Sequence, residues 1–189
     1  MLTRSASLAV LALVSGAATA APETYNIDPM HTLPYYEINH LGFSTQRGHF
    51  GGVTGQIALD RAAKKLSANV TIDANSLNTG IEKLDHHLKS EDFFDVAKYP
   101  TITFKSTGAK FDGDRPASVT GDLTMHGVTH PVTLTLTSFR CTMNPVIKKE
   151  ECAADAVGEI KRSDYGMTYF LPALGDEVKL LIPVESHKQ

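Results

Sequence analysis

With 189 residues and a formal net charge of −3, the chain is sized for one domain after a short leader. Its 18 lysines and arginines form no basic stripe beside the 21 acidic residues, so nucleic acid is a poor partner. Beyond residue 20, no segment is apolar for long enough to cross a bilayer as a helix.

Residues 1–20 read as a secretory signal peptide. Arg4 supplies a basic start, Leu8–Val14 is a short apolar run, and Ala18-Thr19-Ala20 offers a small-residue cleavage site. The run is too short for the ~20 residues of a membrane span, so cleavage is predicted after Ala20. Residues 21–189 then form the exported domain. Arg4 is the only charge removed, which leaves the mature chain one unit more negative.

A strand follows over Arg47–Asp60. Gly51, Gly52 and Gly55 inside it predict bulges or a sharp bend. In Lys64–Asp73, Leu66, Ala68, Val70 and Ile72 share one face of a strand. Gly80–Leu88 breaks the alternation. Ile81, Leu84 and Leu88 recur at helical spacing, with Asn78 or Thr79 as the cap. A strand over Phe104–Phe111 ends at the turn Asp112-Gly113-Asp114. Val119–His126 and Val132–Phe139 are strands on either side of His126-Gly127. A second short helix is weakly indicated near Lys161–Tyr165. Val178, Leu180, Ile182 and Val184 mark a last strand, after which Glu185–Gln189 is expected to fray. The pattern is all-β with minor α: an antiparallel sandwich or barrel with one or two short helices.

Cys141 and Cys152 are the two cysteines. After export they meet an oxidising space, and a hairpin could bring them together, so a disulfide is expected. Such a bridge contributes about 3 kcal/mol, mainly by restricting the unfolded chain. The spacing is not that of a C-x-x-C redox or metal pair.

Two long stretches carry a family resemblance. Leu84-Asp85-His86-His87-Leu88-Lys89-Ser90-Glu91-Asp92-Phe93-Phe94-Asp95-Val96-Ala97-Lys98-Tyr99-Pro100 resembles a signature of the YceI family, and Thr101–Ser106 continues it. Val119–Val132, with its Met125-His126-Gly127-Val128-Thr129-His130 centre, resembles the second signature. Arg162-Ser163-Asp164-Tyr165-Gly166-Met167 and Asp176-Glu177-Val178 resemble further parts. The resemblance implies an antiparallel lipocalin-like β-barrel with a long internal tunnel; the short helices inserted among the strands are expected at the barrel mouth. It also implies a periplasmic location and a long-chain lipid guest, a polyisoprenoid or an isoprenoid quinone. It leaves a homodimer open.

A tunnel for such a guest needs apolar walls. The strand faces supply Leu66, Val70, Ile72, Ile102, Phe104, Leu123, Met125, Leu134, Leu136, Leu180 and Ile182. Phe43, Phe50, Leu84, Leu88, Phe93, Phe94, Met167 and Phe170 are the other candidates, and methionine suits a flexible guest. The bland alternative is that these side chains fill an ordinary core, since a small barrel can be packed or hollow. His31, Tyr36, His40 and Arg162 are head-group candidates. The helix and the Phe93-Phe94 turn are candidates for a lid.

The eight histidines raise a metal reading, but the spacing of His31, His40 and His49 does not converge three or four ligands. A metal-handling or stress-protection barrel is the alternative function, and no metal ligand is assigned. No G-x-S-x-G nucleophile motif occurs, no catalytic cofactor is implied, and an enzyme is not expected. Collecting a lipid calls for transient membrane contact at the mouth, although no strongly amphipathic anchor is visible.

Overall fold

Period-2 alternation of apolar and polar residues gives strands with one wet and one dry face, and such strands must close or stack to hide the dry side. The structure is a computed structural model that describes residues 21–189. The expected leader at residues 1–20 lies outside the described residues.

The strands in chain order are β1 (Glu23–Ile27), β2 (Tyr35–His40), β3 (Ser44–Phe50), β4 (Val53–Asp60), β5 (Lys65–Asp73), β6 (Leu77–Asn78), β7 (Thr101–Asp112), β8 (Arg115–Met125), β9 (Val128–Met143), β10 (Glu150–Lys161) and β11 (Leu174–Lys188), with helix α1 (Glu82–Leu88) between β6 and β7. Antiparallel pairing runs β1, β4, β5, β7, β8, β9, β10, β11, and β11 returns to β1. This is a closed eight-stranded barrel. β2, β3 and β6 extend one end of it.

β11 does two jobs. Its first half pairs with β2 from Leu174 to Leu181, and its last residues pair with β1 at Ser186–Ile27, His187–Asn26 and Lys188–Tyr25. The tail expected to fray therefore closes the barrel. Gln189 N–H even donates to the Thr24 carbonyl at 2.9 Å. The period-2 signal fades there because the tail is polar, yet Ser186 is only 1% exposed.

The expected Arg47–Asp60 strand is two strands broken at Gly51-Gly52. Gly55 lies inside β4 with φ 149°, and a Cβ there would stand 2.2 Å from the Asn69 carbonyl oxygen. Only glycine permits that close strand approach. α1 starts later than the sequence implies. The Thr79 hydroxyl and N–H both donate to Asp85 Oδ1, at 2.6 and 2.7 Å, so Thr79 ties the helix down without capping it. The second expected helix is a single 3-10 turn, Arg162–Tyr165, ended by Gly166 at φ 78°.

One end of the barrel is sealed. Tyr25 and Leu59 are buried with Cys152 and pack against Leu66, Phe111, Phe139 and Cys141. Cys141 and Cys152 face each other on β9 and β10 and form the expected disulfide. Beneath this floor lie charges. Lys188 Nζ reaches Glu23 Oε1 at 2.5 Å, Arg61 Nη2 reaches Glu150 Oε1 at 2.6 Å, and the Tyr25 hydroxyl donates to Glu23 at 3.0 Å.

The hydrogen bond from Lys188, then that from Tyr25, holds the Glu23 carboxyl below the ordinary carboxylate range, with burial opposing. A depressed folded-state value contributes stability above the unfolded value and loses it as pH falls through the folded one. Glu23→Gln is therefore expected to lower the melting temperature at about pH 6, with the gap to wild type closing toward about pH 3. Melting curves across that range check it; a gap independent of pH would contradict the assignment.

Candidate functional site

An eight-stranded barrel has an interior just wide enough either to be filled by side chains or to hold one guest. Small inward residues decide between these outcomes. Ala68 on β5 and Ala154 and Ala156 on β10 stand on the wall of an inner chamber of about 160 Å³. Above it lies a wider chamber of about 500 Å³. Leu180 belongs to both walls, so the two chambers lie on either side of this residue. The larger volume is that of a ligand pocket.

Most sequence candidates fall on these walls. Leu66, Val70, Ile72, Phe104, Leu123, Leu134, Leu136 and Ile182 line the inner chamber. Phe50, Leu84, Leu88, Phe93, Phe94, Met125, Met167 and Phe170 line the upper one, as do Tyr36, His40 and Arg162. Three candidates do not. Phe43 sits on the β2–β3 turn, 88% exposed, because the chain reverses there. Ile102 packs in the upper core cluster with Ala74, Leu77 and Tyr165 and reaches neither chamber. His31, in the β1–β2 connection, lines neither chamber, and its Nδ1 lies 2.6 Å from Asp28 Oδ2.

The sequence reading missed Ile38, Leu41, Tyr169 and Leu174 in the upper chamber. Ile38 was readable from the Tyr36–Ile38 alternation. Tyr169 and Leu174 lie in or beside an irregular loop and carry no periodic signal. Ala68 was on the expected dry face of β5, whereas Ala154 and Ala156 on β10 were quiet, because a small residue marks neither face strongly.

The polar groups are distributed unevenly. At the upper end Tyr36, His40, Gln46, Arg47, Thr79, His87 and Arg162 interrupt the apolar wall. In the inner chamber the side-chain hydroxyls are those of Thr32 and Ser186, and both are engaged. Thr32 Oγ1 donates to the Glu185 carbonyl at 3.2 Å, and Ser186 Oγ donates to the Cys152 carbonyl at 3.0 Å. A guest with one polar end therefore fits with that end at the mouth and its tail toward the floor.

Tyr36 leans over Gly48, whose missing side chain makes room for the ring: a Cβ there would meet the phenol oxygen at 2.5 Å. Burial, reinforced by Asp85, pushes the Tyr36 phenol above its ordinary range, so it stays a neutral hydrogen-bonding group. Arg162 is 3% exposed. It donates to the carbonyls of Gly175 at 2.8 Å, Met167 at 2.7 Å and Leu174 at 3.2 Å. Burial lowers its guanidinium from the usual range and the Asp176 charge opposes this. The structure thus gives Arg162 a holding role: it fixes the loop that carries Tyr169 and Phe170.

Two motif histidines serve the same loop. His126 Nδ1 lies 2.9 Å from the Tyr165 carbonyl and His130 Nε2 lies 3.0 Å from the Asp164 carbonyl. The Tyr165 phenol is buried and pushed up to about 12 by that burial. That loop meets the helix side of the mouth: Phe93 packs edge-on against His87 and Tyr169, with ring centroids 5.2 and 5.4 Å apart, and Phe94 packs on Phe50 at 5.4 Å.

Fold and cavity together define a hollow antiparallel barrel with one mouth and an apolar interior. The model of the YceI-like domain matches residues 25–186, and the chain belongs to the YceI family. Protein YceI from Salmonella arizonae and that from Salmonella paratyphi B are each 37% identical over 186 residues, covering 97% of this chain and 95% of theirs. Among solved structures, Burkholderia cenocepacia BcnA superposes with a TM-score of 0.72 at 25% identity, over 84% of this chain and 98% of that one. Campylobacter jejuni YceI gives 0.67 at 29% identity, over 80% and 90%. A polyisoprenoid binding domain from Saccharophagus degradans, implicated in plant cell wall breakdown, shares the fold with a TM-score of 0.61 at 16% identity, over 87% and 98%.

The holding role of Arg162 is testable. Arg162→Met removes three charge-assisted hydrogen bonds, one of them fully buried, so it is expected to cost about 3 kcal/mol. Urea unfolding measures the loss. Limited proteolysis should cut the variant first within residues 166–173; wild-type stability and cleavage would contradict the role.

Proposed function

We propose that this protein binds one long-chain isoprenoid lipid, a polyisoprenoid or isoprenoid quinone, with its tail in the inner chamber and its head group near Tyr36 and His40. The observation that carries the reading is the pair of apolar chambers that share Leu180 as a wall residue above a packed floor. The description of the Saccharophagus degradans neighbour as polyisoprenoid binding supports it. The family and the neighbours favour binding over catalysis.

The affinity must come from the tail. Each buried CH₂ contributes about 0.8 kcal/mol relative to water, or roughly 3–4 kcal/mol per five-carbon unit. Eight such units would pass the practical ceiling of about 20 kcal/mol, so ordering costs offset much of the gain. A bilayer offers the tail a similar environment. Net preference for the barrel is therefore small, which suits a carrier or reservoir that exchanges its guest.

Such a carrier works where lipid is handed on. We place it in the periplasm, exported by a leader cleaved after Ala20, with brief membrane contact at the mouth. Exposed Leu41, Tyr169 and Phe170 on the mouth wall support that contact. α1 and the Phe93-Phe94 turn act as the lid.

Native mass spectrometry of the protein isolated without detergent tests the binding. A long-chain hydrophobic mass is expected at one per chain and should vanish on denaturation. A bare protein mass would count against the proposal. For the lid, Phe93→Ala and Phe94→Ala are expected to speed quinone release into vesicles, and unchanged loading and unloading would rule it out.

A further inference from the structure

Outside the tunnel, a second group of side chains gathers where the barrel closes. Asp28 and His31 stand in the β1–β2 connection, Glu185 and His187 on β11, and Glu151 on β10. We propose that Asp28, His31, Glu185 and His187 form a binding site for a divalent metal ion of the zinc class, with Glu151 supporting His187.

The geometry is close to what a bound ion requires. One donor atom each from Asp28, His31 and Glu185 lie within 4.8 Å of one another. Donors held about 2.0–2.2 Å from a shared zinc ion lie roughly 3–4 Å apart. His31 Nδ1 stands 2.6 Å from Asp28 Oδ2 and 3.8 Å from Glu185 Oε2. His187 Nε2 stands 3.3 Å from the same Asp28 oxygen.

His187 adds an independent sign. Its Nε2 faces the cluster, and its Nδ1 points toward Glu151 Oε2 at 3.7 Å. That Nδ1 is buried and has no hydrogen-bond partner among the described residues. A metal-bound imidazole adopts this disposition, with one nitrogen on the ion and the other N–H directed at a carboxylate. A small ring movement would bring that N–H into hydrogen-bond range.

The frame is built in advance. Asp28 Oδ1 accepts from Met30 N–H at 2.8 Å, which turns Oδ2 toward the imidazoles. Thr32, 1% exposed, exchanges hydrogen bonds with the Glu185 backbone, and Asp28 N–H donates to the Glu185 carbonyl at 2.9 Å. Asn144 donates to Glu151. The carboxylates of Asp28, Glu151 and Glu185 gather around the two imidazoles, and a divalent cation would offset their charge. The His31 side chain is 59% exposed and gives an ion access from solvent.

Mixed imidazole and carboxylate donors select zinc-class ions over magnesium or calcium, which take oxygen-only shells. An ion held here would join the β1–β2 connection to β11, with β10 linked through Glu151 and His187, and so staple the seam that closes the barrel. This holds whatever fills the tunnel.

Calorimetric titration of zinc chloride into the chelator-stripped full chain is expected to show one equivalent bound. Magnesium and calcium at the same concentration should give no signal. His31→Ala combined with His187→Ala should weaken zinc binding about 100-fold or more. His86→Ala, on α1, should bind as wild type does. Absence of stoichiometric zinc, or affinity unchanged in the double variant, would overturn the proposal. If that variant does not fold, cobalt(II) decides with the milder Glu185→Gln. The visible absorption of bound cobalt in wild type should be lost or strongly altered in this variant, and an identical spectrum would place the ion elsewhere.

Discussion

Everything in this barrel depends on one short seam. β11 pairs with β10 along most of its length, from Lys161–Glu177 to Glu151–His187, but it meets β1 at only three positions. Without those three pairs the sheet has two free edges and its inner face is open to water. The chain reinforces the seam with buried polar bonds. Thr32 locks onto the Glu185 backbone, Ser186 Oγ donates to the Cys152 carbonyl, and the disulfide joins β9 to β10 beside it. These bonds concentrate at the sealed end, which is where a tunnel with one mouth needs its rigidity.

Closure and hollowness then place opposing demands on the same side chains. The floor is solid because Tyr25, Leu59, Phe111 and Phe139 are large enough to meet. Above it the inward alanines of β5 and β10 cannot meet, and space remains. The upper end is wider because β2 and β3 continue the wall past the point where β1 stops. It is also more polar and more irregular, and it depends on two struts. One is Arg162 in its carbonyl cage, and the other is the His126–His130 pair beneath the 3-10 turn. A chain entering by the mouth would pass the irregular, more polar rim first and reach the apolar inner chamber last.

Much of this was legible from residue order, and the failures have physical causes. Strict alternation in β5, β8, β9 and the middle of β11 located the wall, because one face of each strand is dry. Glycine at positions 51 and 52 marked the break between β3 and β4, although its depth was not readable. The closing tail was misread because its pairing is made by polar residues whose partner, β1, lies at the other end of the chain. Phe43 and Ile102 show the limit of composition. A large apolar side chain at a turn points to solvent, and one beside the upper core fills that core. His31 and His187 lie far apart in sequence, and no spacing rule could have brought them to one place.

The central claim is that the interior is continuous from mouth to floor and receives a chain tail-first. Photo-crosslinking tests it most directly. An isoprenoid quinone analogue with a diazirine on its terminal unit would be loaded and irradiated, and the modified peptides mapped by mass spectrometry. The account predicts labelling of the inner-chamber strands at Leu134, Leu136 and Ile182. Labels confined to Leu41, Tyr169 and Phe170 at the rim, with none deeper than Leu180, would contradict it.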